Sequence, residues 1–237
     1  MAPENLVVVA AHAVYLGPAA EDAHPESDAS WCLRSFQHGE PPFYIEHIRA
    51  GVDAAARDPA ALLVFSGGQT HRQAGPRSEG QGYWDLAAHF GWWGHSELAG
   101  RAAAEEFARD SFENLLFAIC RFRERIGRYP HVVTVVSWAF KEQRFGLHRE
   151  AIGWPARRFR FLGVNQPREL PAALKGEAET VAHFRADPYG TGVTLGAKRA
   201  SRDPFQRSIP YPTTCPELTA LLAHGGPEIL MGGLPWP

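Results

Sequence analysis

The chain has 237 residues, of which 45% are hydrophobic, 21% charged and 11% aromatic, with a net charge of −2 at neutral pH. That balance excludes a disordered, collagen-like or coiled-coil chain and fits a single α/β domain over residues 1–237. The small net charge leaves no footprint for nucleic acid or an acidic membrane surface, and no apolar run approaches the roughly 18 residues of a membrane span.

Taken in chain order, the first predicted element is a strand at residues 6–10 (LVVVA). Its continuous β-branched run suits a strand buried on both faces of a parallel sheet, and the preceding residues lack the basic region of a signal peptide. Residues 17–42 follow as a long insertion rich in Pro, Asp and Glu, with an aromatic patch over 31–36; loops of this length are often lids or binding loops. Residues 45–57 repeat apolar side chains at steps of three and four and predict a helix. In this helix Glu46-His47 reads as packing or surface rather than as a ligand pair.

A second strand at 62–65 (LLVF) leads into a helix over about 78–89, and a helix at 111–126 precedes a strand at 132–136 (VVTVV). A further strand is expected at 159–162 (FRFL), beside an arginine-rich turn at 157–160. Alternating strands and helices predict a Rossmann-like, mostly parallel three-layer α/β/α sandwich. Beyond about residue 175 repeated prolines and glycines predict a C-terminal wrap of loops with one short helix near 217–223. The odd count of cysteines (Cys32, Cys120, Cys215), with no C-x-x-C spacing, argues against a disulfide framework or structural zinc and for a reducing, cytoplasmic setting.

In such a sheet, ligands sit beyond the carboxyl ends of the strands. The residues after each strand are therefore the candidates. After the first comes His12. The second is followed by Ser66, Gly67, Gly68, Gln69 and Thr70, where two glycines can turn N–H groups toward an anion. No Gly-Lys-Ser/Thr follows, so this is not a P-loop, and no G-x-G-x-x-G marks a dinucleotide. Ser137 and Lys141 follow the third strand. Lys141, Arg144 and His148 would share one face of a helix starting near Phe140, either as a solvated face or as an anion-binding row. Asp110 or Ser111 opens the 111–126 helix, either as an ordinary cap or as an anion site with Asn114 one turn in. No metal-ligand spacing and no G-x-S-x-G elbow occurs, so no metal is expected.

Taken together, LVVVAAHAVY (6–15), LLVFSGGQT (62–70), GPRSEGQGYW (75–84), EEFARDSFENLLF (105–117) and VVSWAFKEQRFGLHREAI (135–152) resemble the family of unassigned function that includes the SanA, ElyC and YdcF proteins. The likeness is greatest to its soluble fungal branch, covers about residues 5–165, and extends to the tail segment KRASRDPF (198–205). It matches Ser66, Gly67 and Gly68 to the family's glycine turn, Glu79 to its acidic helix start, and Glu105, Ser111, Glu113 and Asn114 to its E…T-x-E-N motif. Arg144 matches the arginine after the third strand. Lys141 stands where the family has histidine, and Ala108 where it often has serine. A lysine cannot replace a histidine base unless burial lowers its pKa, so Lys141 is better suited to hold an anion.

The resemblance implies that these polar residues converge on one cleft and, because some members have been linked to it, S-adenosylmethionine as a possible ligand. It also implies a short strand near 102–107, where local propensity alone reads helix. Glu105 at its end could then meet a ribose hydroxyl or a substrate amine.

Three functions compete. The preferred one is a small-molecule enzyme of transferase- or hydrolase-like chemistry, with Glu79, Glu105 or His12 as acid/base. The second is a non-catalytic binder of S-adenosylmethionine or a nucleotide. The third is a protein-interaction module using the aromatic segments 31–36 and 90–93, although packing over the cleft is the simpler reason for Trp92 and Trp93.

Overall fold

A computed structural model describes residues 2–17 and 24–236, so part of the 17–42 insertion lies outside the described residues. The elements run β1 (Asn5–Ala10), β2 (Val14–Tyr15), β3 (Trp31–Cys32), α1 (Pro41–Ala56), β4 (Ala61–Ser66), α2 (Glu79–His89), β5 (Ala102–Glu105) and α3 (Ser111–Ile126). They continue as β6 (Val133–Trp138), α4 (Glu142–Ala151), β7 (Phe159–Val164), α5 (Leu170–Ala186), α6 (Val193–Ser201), α7 (Tyr211–Thr214) and α8 (Thr219–Ala223).

Five strands form one parallel sheet in the order β5-β4-β1-β6-β7, and β2 pairs antiparallel with β3. The register sets Ala10 beside Ser66, and Ser66 beside Glu105. Central β1 is apolar on both faces for a plain reason. Val7 and Val9 pack with Tyr44, Ile48 and Val52 of α1 and Tyr83 and Leu86 of α2. Leu6 and Val8 pack with Leu115 and Ile119 of α3 and Phe145 of α4. The fold is therefore an α/β/α sandwich of the Rossmann-like kind.

From β1 the chain steps outward through β4 to β5, then crosses back to β6 on the other side of β1. Strand order reverses between β1 and β6, and the crevice beyond their carboxyl ends is where such sheets bind ligands.

β5 is a strand, as the family resemblance implies and local propensity does not. It ends at Glu105, whose carbonyl accepts from the Gly67 amide at 3.0 Å. The tail differs from expectation. It holds α5 and α6 besides short α7 and α8, and Phe184, Tyr189, Leu195, Tyr211 and Trp236 join the α3 side of the core. Pro171 does not oppose α5, because a proline in the first turn has no intrahelical donor to lose.

The aromatic segments are also partly internal. Trp31 is buried against Tyr15, Tyr44 and Tyr83. Trp92 packs on Phe65 and Trp84, on the α1–α2 side of the sheet and away from the cleft described below. Trp92 and Trp93 both take left-handed φ values of 53° and 47°, between Gly91 and Gly94.

Candidate functional site

A cleft of about 410 Å³ opens at the β1–β6 switch point. His12 reaches it from just beyond β1, and Ser137 and Lys141 from the end of β6 and the turn after it. Thr70 comes from the turn after β4, Glu79 from the start of α2, and Ser111 and Asn114 from the first turn of α3. Arg144 enters from α4.

Two regions that carried no site residue in the sequence reading complete the lining. The 17–42 insertion contributes Arg34, Phe36 and Glu40, and the tail contributes Glu177, Lys198 and Arg202. The run KRASR (198–202) was the one available signal, since a basic cluster at helical spacing needs a counter-charge or a ligand.

The glycine turn acts differently from the expectation. The Gly67 and Gly68 amides are both used, donating to the Glu105 and Ala108 carbonyls at 3.0 and 2.7 Å. They do not face an anion. The glycines are needed for close approach. A Cβ on Gly67 would lie 2.7 Å from the Glu79 side chain, and one on Gly68 would lie 2.6 Å from the Ala108 carbonyl. Gln69 turns outward to the Pro76 carbonyl.

Glu105 is likewise a tie, not a cleft residue. Its carboxylate accepts from Ser66 Oγ at 2.7 Å, the Phe107 amide at 2.7 Å, the Ala108 amide at 3.3 Å and Tyr211 Oη at 2.9 Å. Burial pushes it up to about 7, against these donors. Asn114 extends the tie, donating to the Ser66 carbonyl at 2.8 Å.

The 141–144–148 row also divides. Arg144 lines the cleft, but its guanidinium is held by Glu177 through both Nε, at 2.9 Å, and Nη2. His148 is buried, its Nε2 2.8 Å from Ser111 Oγ and its ring 4.4 Å from that of Phe184. Burial lowers it to about 3, so it is a neutral imidazole. Asp110 caps α3, accepting from the Glu113 amide at 2.9 Å. Burial alone would raise its pKa, but Arg199 and that amide outweigh burial and hold it low.

The remaining polar groups at the cleft are short of partners. Lys141, Arg34, Lys198 and Arg202 form no ion pair with a carboxylate among the described residues, although all four line the same space. Lys141 Nζ has His12 Nδ1 at 3.4 Å as its side-chain contact. Burial and the Arg144 charge draw Lys141 down to about 7.

His12 is held well below the ordinary histidine range by burial first and then by Lys141, His47 and Arg144. Its Nε2 has no hydrogen-bond partner among the described residues. Neighbouring His47 is core packing on α1, its Nε2 donating to the Val164 carbonyl and Asn165 Oδ1 at 3.2 and 3.0 Å, and it too is neutral.

Glu79 is buried with a raised pKa, because desolvation outweighs Thr70 Oγ1, which donates to it, and the Arg202, Arg34 and Lys141 charges. Burial thus favours its protonated form, and it faces the cleft, as a proton donor or acceptor must. Among the described residues no group of three or more His, Cys, Asp or Glu side chains is placed to hold a metal ion, and no helix is long and apolar enough to cross a membrane.

No family model matches the chain, and no solved structure matches it. The chain is 26% identical over 269 residues to the uncharacterized protein YOR238W of Saccharomyces cerevisiae, covering 87% of this chain and 86% of the relative. This likeness points to an uncharacterised family and does not reach the SanA, ElyC and YdcF proteins.

Proposed function

We propose that the protein is a small-molecule enzyme, of SanA/ElyC/YdcF-like kind, that holds an anionic, phosphate-bearing ligand such as a nucleotide at the carboxyl edge of the sheet. The chemistry we assign is transferase- or hydrolase-like. One observation carries the reading. Lys141, Arg34, Lys198 and Arg202 converge on one cleft, and none has a carboxylate within ion-pair distance among the described residues, although Glu40, Glu79 and Glu177 line the same space. Crowded like charges destabilise a fold unless a ligand supplies the counter-charge.

Glu79 is the proton donor and acceptor in this reading. Ser111 brings a hydroxyl to the cleft, and Ser137 Oγ, buried without a partner among the described residues, is a further group for the ligand to engage. Glu105 drops out as an acid/base because its oxygens are already occupied by four donors. S-adenosylmethionine suits the lining less well, since its sulfonium would meet the same cations that attract its carboxylate.

A thermal-shift series with inorganic pyrophosphate, nucleoside triphosphates, a sugar phosphate and S-adenosylmethionine tests the reading. At a hundredfold excess over Kd a ligand stabilises by about 2.7 kcal/mol, a rise of roughly 5–10 °C. The expected result is a rise with the phosphate compounds that is lost in Arg202→Ala, followed by turnover of the best binder that is lost in Glu79→Gln. Silence with every phosphate compound overturns the reading.

A further inference from the structure

The lysine at the centre of the cleft stands in an arrangement that goes beyond holding an anion. An ammonium that only binds phosphate is served by a wet, flexible position, such as those of Lys175 and Lys198, both exposed. Lys141 is partly withdrawn into the cleft wall, on the short turn between β6 and α4, with its Nζ against His12 Nδ1 at 3.4 Å. The charged groups around it are unequal. Arg144 and Arg202 oppose its charge, while Glu177 and Glu40 favour it. Glu177 is already engaged by Arg144, and Glu40 accepts from Tyr44 Oη at 2.5 Å and is drawn toward its neutral form by burial. His12 and His47 add no negative charge. The outcome is an amine drawn down to about 7. Desolvation beside other cations is how a lysine becomes a nucleophile rather than a point charge.

We propose that Lys141 is a nucleophilic amine and that the cleft takes anionic carbonyl compounds, phosphorylated aldehydes or ketones, forming an imine at its Nζ. This rests on the anion-binding reading for its guidance, since Arg34 and Arg202 hold the phosphate while the carbonyl carbon meets the amine. In the step, the Nζ lone pair forms a bond to the carbonyl carbon as the C–O π bond breaks onto oxygen. One amine proton passes to His12 and from it to the oxygen, giving a carbinolamine. The second amine proton follows the same route to that oxygen, which leaves as water and yields the C=N bond. No oxidant or reductant is consumed.

The test uses pyridoxal 5′-phosphate as the probe, with borohydride to reduce the imine to a stable secondary amine and peptide mass spectrometry to locate it. The chain holds three lysines, Lys141, Lys175 and Lys198, and the peptide map tells them from one another and from a terminal α-amine. At neutral pH the label is expected on Lys141, forming about tenfold faster than with unphosphorylated pyridoxal, as a cationic cleft does for an anionic reactant. Inorganic pyrophosphate should slow it. K141R, which cannot form the imine, should lose the label. A pyrophosphate shift with no label, or with label spread evenly over the three lysines, overturns the amine and leaves the anion site standing. Label on Lys141 that is indifferent to pyrophosphate and to the probe's phosphate overturns the guided site. The absence of any pyrophosphate shift is the separate failure of the anion reading. Should K141R not fold, the wild-type peptide map decides.

Discussion

Glu105 and Lys141 make an instructive pair: burial draws both to about 7, one upward and one downward, yet their surroundings are opposite. Glu105 sits where β4, β5 and the tail meet, and four donors close around its oxygens. Lys141 sits at the switch point among arginines, with an imidazole nitrogen as its contact. A displaced pKa thus marks burial, and the inventory of partners separates a structural tie from a site that is waiting for one.

The largest effects are expected on the Glu105 side. Glu105→Ala leaves several buried donors without an acceptor, and should cost about 4 kcal/mol at 1–3 kcal/mol for each group left unmade; urea unfolding measures it. A loss under about 1 kcal/mol would show that the tie is not needed. Gly67→Val should cost about 3 kcal/mol by overpacking, because its Cβ would strike the Glu79 side chain and Ala11. Its φ is not in the left-handed region, so Gly67→Ala should also destabilise, which a purely conformational account would not predict.

Arg144→Ala comes next. Read from sequence, Arg144 belongs to a row that is either a solvated face or an anion site. In the structure Glu177, 7% exposed at its side chain, would be left as an unpaired buried carboxylate, and about 3 kcal/mol of stability should go with it. The double change Arg144→Ala with Glu177→Ala should recover most of that loss by the same measurement.

Lys141→Met has the opposite sign. Because the folded-state pKa is depressed from its ordinary 10.5 to about 7, the lysine destabilises the fold most fully below about 7, and this penalty fades as pH rises toward 10.5. The variant should therefore melt above wild type in mildly acid buffer, with the gap closing in alkali. Glu105, raised from 4.5 to about 7, works the other way, its stabilisation being complete below 4.5 and lost as pH rises through about 7. A gap for Lys141→Met that does not vary with pH would contradict the burial of its charge. The smallest stability change belongs to Arg34→Ala, within about 0.5 kcal/mol of wild type, while pyrophosphate affinity should fall about tenfold with loss of one charge-assisted contact.

Much of this was legible beforehand. Continuous runs such as LVVVA and VVTVV permit little besides doubly buried strands, and the rule that ligands bind beyond strand ends already selects His12, Thr70, Ser137 and Lys141. What failed were inferences about direction. Helical spacing puts Arg144 and His148 on one side of α4, but spacing cannot say that this side faces α3 and α5, so that the first pairs with Glu177 and the second is buried. Two glycines after a strand permit an amide cradle or a plain turn, and spacing cannot show that here their amides complete the β4–β5 edge. Arg34, Lys198 and Arg202 stayed invisible as site residues because only tertiary packing brings an insertion and a tail to the same crevice.

The central claim is that cations without ion-pair partners make this cleft an anion site. Isothermal titration calorimetry of inorganic pyrophosphate into wild type and the Arg34→Ala/Arg202→Ala double variant, each at low and moderate salt, tests it most directly. The account predicts wild-type binding that weakens as salt rises and disappears in a double variant of near-native melting temperature. Binding of equal strength in both proteins, or no heat in wild type at low salt, would contradict it.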